Sequence, residues 1–435
     1  MLLLHISDIH FRRDEIGNPM DPNNHLRNEL KRDAEEMCGR LGKVPDAIVV
    51  SGDIAFAAHA DEYAFALSWL EKLAVACGTT SECIFVIPGN HDVVRSLASR
   101  PMVRALHHQI KTSDPLLVDG VLRSILQDSD SSRTLYGPLD QFNLFAGQFF
   151  CDVSAPMNTI ATRSLKLNDG STLKLMGLNS ALVSSQADEP GSLFIDPACL
   201  QITRERGVEC VVLCHHPFSW LSQGEALKGH LNDVARIQLF GHEHTNRIEL
   251  QRDTIRIAAS AAHPDRTEHG WEPGYNLIEL QVVNNGAERK LNIEAHVRIW
   301  QTNPGQFRPK MDRDRSVWKH DIELDAWCPP PVEPATKELP EASSTYINPA
   351  ELNPKVAQAS GSDPMDNLRS IGVRFFKLTL SQKSEIAGKL GLFEDEDLNQ
   401  PDFVRFRRVF ERARDRNLID QLNEEVNVFA TKKQL

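Results

Sequence analysis

Five short segments of this chain carry side chains that could hold metal ions. They are Asp8-Ile-His10, Gly52-Asp53, Gly89-Asn90-His91-Asp92, His215-His216-Pro217 and Gly241-His242-Glu243-His244. Each stands at the C-terminal end of an apolar run. Residues two apart in an extended chain point the same way, so Asp8 and His10 can reach one ion. By the same alternation His216 should point away from His215, and it is read as structural. The glycines at 52, 89 and 241 let the backbone turn sharply towards an ion. The segments offer carboxylates, an amide carbonyl and several imidazoles, without thiolate. Such mixed ligation suits Mn, Fe, Zn or Ni better than a structural zinc site. Two ions about 3.5–4 Å apart need several ligands and a shared carboxylate, and such a pair can activate a water for hydrolysis. One segment alone is a weak signal. Five in order, each after an apolar run, are specific.

These segments need elements that bring their ends to one place. The apolar runs are Leu2–Ile6, Ala47–Val50, Cys83–Ile87, Leu173–Leu178, Val208–Cys214, Arg236–Phe240, Thr254–Ala259 and Tyr275–Val282. Runs of this length suit strands covered on both faces. Helix-like stretches lie between them at His25–Leu41, Asp61–Ala76 and Val103–Lys111, and residues 114–150 read as a helical cap. The alternation predicts an α/β fold with covered sheets, and ligands at strand C-termini stand where such sheets carry their sites.

At 435 residues the chain should hold two or three folding units. Its 41% hydrophobic and 25% charged residues exclude a wholly disordered, collagen-like or disulfide-scaffold protein. No run approaches the roughly 20 apolar residues of a membrane span. Met1–Leu4 is broken by His5 and Asp8, with no basic region before it, so it does not read as a signal peptide. The net charge of −12 argues against a protein that coats nucleic acid, although a local basic groove is compatible with it. Eight cysteines without a CxxC pair read as reduced thiols, and the expected location is the cytoplasm. Between Trp327 and Asp366 stand eight of the 24 prolines, which reads as a linker over 327–366. Residues 1–326 are then the catalytic domain. Residues 367–435 return to helical spacing and read as a small all-α bundle.

Taken in order, D-x-H, G-D, G-N-H-D, H and G-H-x-H resemble the calcineurin-like metallophosphoesterase superfamily over roughly residues 1–300. The resemblance implies a four-layer αββα sandwich with a dinuclear centre at one edge. It implies that Asp8, His10 and His244 bind one divalent ion, that Asn90, His215 and His242 bind the other, and that Asp53 bridges them, with Mn the leading candidate. It further implies attack by a metal-bridging hydroxide, with His91 as the acid beside the leaving group. Two features depart from the protein Ser/Thr phosphatases of this superfamily. Asp53 is followed by Ile54-Ala-Phe-Ala-Ala-His59, and the third motif ends in Asp92. The motif style looks closer to bacterial cyclic-nucleotide phosphodiesterases and related nucleases. The expected activity is therefore hydrolysis of a phosphodiester in a nucleotide or nucleic acid. A phosphomonoesterase is the alternative, and a non-catalytic metal-binding scaffold a third reading. Arg95 is a candidate phosphate contact, and Asn179 a candidate lining residue.

Two features bear on partners. Arg298, Arg308, Lys310, Arg313, Arg315 and Lys319 are interleaved with Trp300, Phe307 and Trp318. Basic and aromatic side chains together can track a single strand, but a solvated rim is the expected role here. Residues 366–435 carry 13 Lys/Arg and 12 Asp/Glu, so they form neither a basic arm nor an acidic tail. They resemble the small death-fold-like adaptor domains attached to effector enzymes in bacterial conflict systems. That implies a partner protein, or self-association, through a face bearing Phe403, Phe406 and Phe410. The chain cut near Leu324 is expected to fold and hydrolyse by itself.

Overall fold

A computed structural model describes residues 1–19, 21–154, 158–266, 270–285, 288–329, 364–397 and 400–431. Two sheets form its centre. The chain enters the first with β1 (Leu2–Ile6), β2 (Ala47–Val50) and β3 (Ile84–Val86), which run parallel. It builds the second from β4 (Ala161–Lys166), β5 (Thr172–Gly177), β6 (Val208–Cys214), β7 (Ile237–Phe240), β8 (Arg247–Leu250) and β9 (Ile255–Ala258). It then returns to the first with β10 (Gly274–Asn285), β11 (Glu288–Thr302), β12 (Gly305–Pro309) and β13 (Trp318–Leu324). The first sheet has the order β12-β11-β10-β1-β2-β3, with β13 also paired to β11, and the second β4-β5-β6-β7-β9-β8.

Alternation along β6 shows how the layers close. Val211 and Leu213 join the core shared with β1 and β2, whereas Cys210, Val212 and Cys214 face a second core. Gly177 of β5 touches the other sheet so closely that a Cβ there would lie 2.4 Å from Ile87. Helices α1 (Asn24–Leu41) and α2 (Ala60–Ala76) pack into the shared core. Between β3 and β4 come α3 (Arg95–Ala98), α4 (Pro101–Lys111), α5 (Val118–Gln127), α6 (Ser129–Tyr136) and α7 (Asp140–Ala146), and α8 (Gly224–Val234) joins β6 to β7. Side chains of α4, α5, α6 and α8 fill the second core. The result is a mixed α/β sandwich with helices outside two facing sheets.

The strands that a continuous apolar run marks are the covered ones. Strands β4, β8, β11, β12 and β13 lack such a run, because at least one face of each meets solvent. Along β11 buried residues alternate with half-exposed ones from Arg289 to Val297. Part of the basic and aromatic stretch is built into this edge, while Arg308, Arg313 and Arg315 stay exposed. Arg298 is buried on Asp33, Lys310 pairs with Glu272, Lys319 with Glu294, and Trp300 packs on Phe307.

Residues 330–363, most of the proline-dense stretch, lie outside the described residues. Trp327 still belongs to the catalytic body: a Cβ on Gly207 would sit 2.0 Å from its indole Nε1, and Arg289 lies over its ring at 5.7 Å. The C-terminal helices are α9 (Pro364–Phe376), α10 (Leu380–Lys389), α11 (Asp402–Asp415) and α12 (Ile419–Thr431). Their core holds Ile371, Phe375, Ile386, Phe406, Phe410, Leu422 and Val426. This corrects the expected partner face. Phe406 and Phe410 are buried inside the bundle, and Phe403 lines a groove beside the catalytic body. The bundle also packs on that body, through Phe150. Among the described residues no helix is long and apolar enough to cross a membrane.

Candidate metal centre

The loops after β1, β2, β3, β6 and β7 converge at one edge of the sandwich, and all seven expected ligands come together there. His244 Nε2 lies 3.4 Å from Asp8 Oδ1, and His10 Nε2 lies 3.8 Å from both Asp8 Oδ1 and Asp53 Oδ2. On the other side Asn90 Oδ1 is 3.1 Å from His215 Nε2 and 3.1 Å from His242 Nδ1. Asp53 stands between the groups: its Oδ2 is 3.8 Å from His10 Nε2 and 3.3 Å from His215 Nε2.

The backbone is bent to achieve this. Asp8, His10, Asp53, His242 and His244 all have φ between 50° and 70°, in the left-handed region that non-glycine residues rarely adopt. Hydrogen bonds hold the bends. Asp8 N and His10 N donate to Gly52 O and Asp53 O, and His242 N donates to the Asp8 carboxylate. Asp92 is buried and accepts from the N–H groups of Ile54, Ala55 and Gly89 and from Tyr63 Oη, so one carboxylate ties the Asp53 loop to the Asn90 loop. Gly52 has φ +101°, and a Cβ there would sit 2.4 Å from His215 Nδ1.

Each ring has an assigned direction. His215 Nδ1–H donates to Ser51 O at 2.8 Å, which turns Nε2 to Asp53 and Asn90. His10 Nδ1 is buried with no partner among the described residues, while Nε2 faces the two carboxylates. Burial opposes charge on Asp8, but the hydrogen bond to His244 and the charges of His215 and His244 hold its carboxyl below the usual range. Burial likewise opposes charge on Asp53, and the charge of His215 overrides it, so that carboxyl is also held low. Burial works against a charged His215, yet Asp53 and Asp8 push it up to about 9. Burial draws His10 down to about 3 and His242 to about 4. The centre therefore presents two carboxylates with neutral His10 and His242, while His215 carries a proton that a bound cation would displace.

His91 sits beside this ring of ligands, its centroid 4.7 Å from that of His10. Its Nδ1–H donates to Phe56 O at 2.7 Å, and Arg95 Nη2 approaches Nε2 at 3.4 Å. Asn179 lies in a turn next to this centre. Its Oδ1 accepts from Ala181 N, forming a turn, and its Nδ2 is buried without a partner among the described residues. The turn seats Ser180, whose Oγ is 2.8 Å from His216 Nδ1. His216 itself corrects the alternation argument. Strand β6 ends at Cys214, so residues 215 and 216 are no longer extended, and His216 turns inward with Nε2 3.2 Å from Asn90 Oδ1. Sequence reasoning also missed Trp220, whose ring lies 4.2 Å from that of His242, and Arg12, which lies over Phe56 at 4.0 Å. Neither has a motif signature.

Comparison with known proteins supplies three findings. The family model described as calcineurin-like phosphoesterase matches residues 1–246, and that of the GTPase-associated adaptor domain matches residues 367–428. An uncharacterised metallophosphoesterase-like protein of Bacillus subtilis, YydB, is 22% identical over 354 residues, covering 74% of this chain and 67% of its own. Among solved structures, a single mutant of Vps29 from Entamoeba histolytica aligns at 11% identity with a TM-score of 0.28, over 75% of this chain and all of that one. Vps29 of Cryptosporidium parvum aligns at 12% with a TM-score of 0.32, over 74% and 98%.

Proposed function

This chain belongs to the calcineurin-like phosphoesterase family, a family of metal-dependent phosphoester hydrolases, and on that premise we propose that it cleaves a phosphodiester in a nucleotide or nucleic acid. The observation that supports this reading is the closed ring of ligand atoms about Asp53. The donor set fits divalent transition metals. It offers carboxylate oxygen, an amide oxygen and imidazole nitrogen clustered within reach of one another, and a backbone hydrogen bond aims the His215 ring inward. Asp8, His10 and His244 would hold one ion, Asn90, His215 and His242 the other, and Asp53 both, with Mn expected. Two such ions supply an activated water and neutralise charge on the phosphoryl oxygens.

The remaining work falls to the chain's own residues. Phe56 O holds His91 by Nδ1–H, which leaves Nε2 to deliver a proton to the departing oxygen. Arg95, which lies against that ring, would meet a non-bridging phosphoryl oxygen. Trp220 walls the His242 side. Asn179 shapes the rim through its turn. The C-terminal bundle, matched by an adaptor family, is assigned to protein capture.

The test is a panel with Mn. It compares a bis-aryl phosphodiester, an aryl phosphomonoester, cyclic nucleotides, and single-stranded DNA and RNA. The reading expects the diesters to turn over at least tenfold faster than the monoester. Preference for the monoester would make the chain a phosphatase. A metal-loaded chain inert on all of them would make it a scaffold.

A further inference from the structure

Helix α7 and the turn after it lead from the metal loops to the C-terminal bundle. Phe150 ends this segment with φ +57° and leaves the catalytic body to enter the bundle, its ring 5.7 Å from Phe376 and 5.5 Å from Phe410. A hole receives it. Gly372 of α9 lies against the ring so closely that a Cβ would stand 2.0 Å from Phe150 Cζ, and no other residue type fits there. Two ion pairs flank the knob. Buried Asp152 pairs with Arg407 of α11, and Lys377 Nζ reaches Glu71 at 2.7 Å and Ser81 Oγ at 2.9 Å.

The same segment continues inward. Phe145 of α7 stacks on Tyr63 with centroids 5.2 Å apart, and Tyr63 Oη donates to Asp92 at 2.9 Å. Asp92 in turn accepts from Ile54, Ala55 and Gly89, the backbone just after Asp53 and just before Asn90. Val94, just past the third motif, donates to Pro138 O at the head of α7. A contiguous line of packed rings and hydrogen bonds thus joins the bundle's seat to the loops of Asp53 and Asn90.

We propose that the bundle acts as a latch in cis: seated on Phe150 and Asp152, it holds the α7 segment and through it the Asp53 and Asn90 loops in metal-binding geometry, and a protein partner that takes the bundle by this face must displace Phe150. The occupant of the face is this chain's own catalytic body. A competing partner therefore needs the same chemistry, an aromatic ring with a carboxylate beside it. The latch rests on the reading that Asp53 and Asn90 hold metal. Coupling between linked sites is typically 5–150-fold in affinity.

The test uses the full chain. Gly372→Val fills the hole, and Phe150→Ala in that background makes room for it again. Arg407→Asp breaks the pair, and Asp152→Arg with Arg407→Asp restores it in reverse. Hydrogen exchange over residues 147–153 reads the docking, and Mn titration reads the centre. The latch predicts that each single variant speeds exchange and weakens Mn binding about tenfold, and that each double variant recovers both. Unchanged exchange in Gly372→Val would show that the bundle does not dock on Phe150. Faster exchange with wild-type Mn affinity would show docking without control of the centre. Either result overturns the latch. Failure of the wild-type chain to bind Mn would instead overturn the metal assignment beneath it.

Discussion

At the scale of single residues, His91 and Gly52 serve the centre in separable ways. His91 donates Nδ1–H to Phe56 O and lies beside His10 and Asp53, and it is proposed to act on the leaving group and not as a ligand. His91→Ala should keep the metal content and slow substrates with poor leaving groups by about 10²–10⁴. Activated aryl esters, whose leaving groups need little protonation, should slow much less. Kinetics on a series of leaving groups decides it: an equal loss across the series rejects the acid role. At Gly52 an alanine would meet His215 Nδ1 at 2.4 Å, with φ already at +101°. Gly52→Ala should therefore lower metal affinity by displacing that ring, while the chain stays folded by circular dichroism. Wild-type affinity would show that His215 is not needed. The seven candidate ligands were legible because acids, an amide and imidazoles recur after apolar runs. His216 was not, because its direction depends on where β6 stops. Phe56 and Ser51 act through backbone carbonyls, which every residue type possesses.

At the scale of elements, burial of uncharged histidines sets a pH dependence. Burial draws His107 of α4 down to about 4 and His263, beside the β1 loop, to about 3. Unfolded, each takes up a proton near pH 6.5, so between that pH and about 4 the unfolded chain binds more protons. Stability is then fully present above pH 6.5 and is lost as the pH falls towards 4. Asp140, pushed up to about 6 by burial, works in the opposite sense. The difference between wild type and His107→Gln isolates one histidine. The variant should lose less stability than wild type between pH 6.5 and 4.5 in urea titrations, and parallel curves would contradict the burial argument. The covered strands were legible as continuous apolar runs. The β11 edge was not, since its residues alternate between core and solvent and the stretch was read mainly for its charges and aromatics.

At the scale of the whole molecule, the C-terminal helices were legible from their spacing, and their match to an adaptor family agrees with the expected adaptor character. Their seat was not legible. A stripe of phenylalanines looks the same whether it packs inward or awaits a partner, and only the fold shows Phe406 and Phe410 inside and Phe150 arriving from another part of the chain. A chain cut near Leu324 is still expected to fold and hydrolyse by itself, but at a lower stability. Such a chain loses Trp327 from its place against Gly207 and exposes Phe150. It should melt several degrees lower than the full chain, and an unchanged melting temperature would deny the bundle and Trp327 any share in stability.

The central claim is that Asp53 joins two ions, and anomalous diffraction from crystals of the full chain grown with Mn tests it directly. The account predicts two Mn peaks about 3.5–4 Å apart, one beside Asp8, His10 and His244, the other beside Asn90, His215 and His242, with the Asp53 carboxylate between them. A single peak, or a pair that leaves Asp53 uncoordinated, would contradict it.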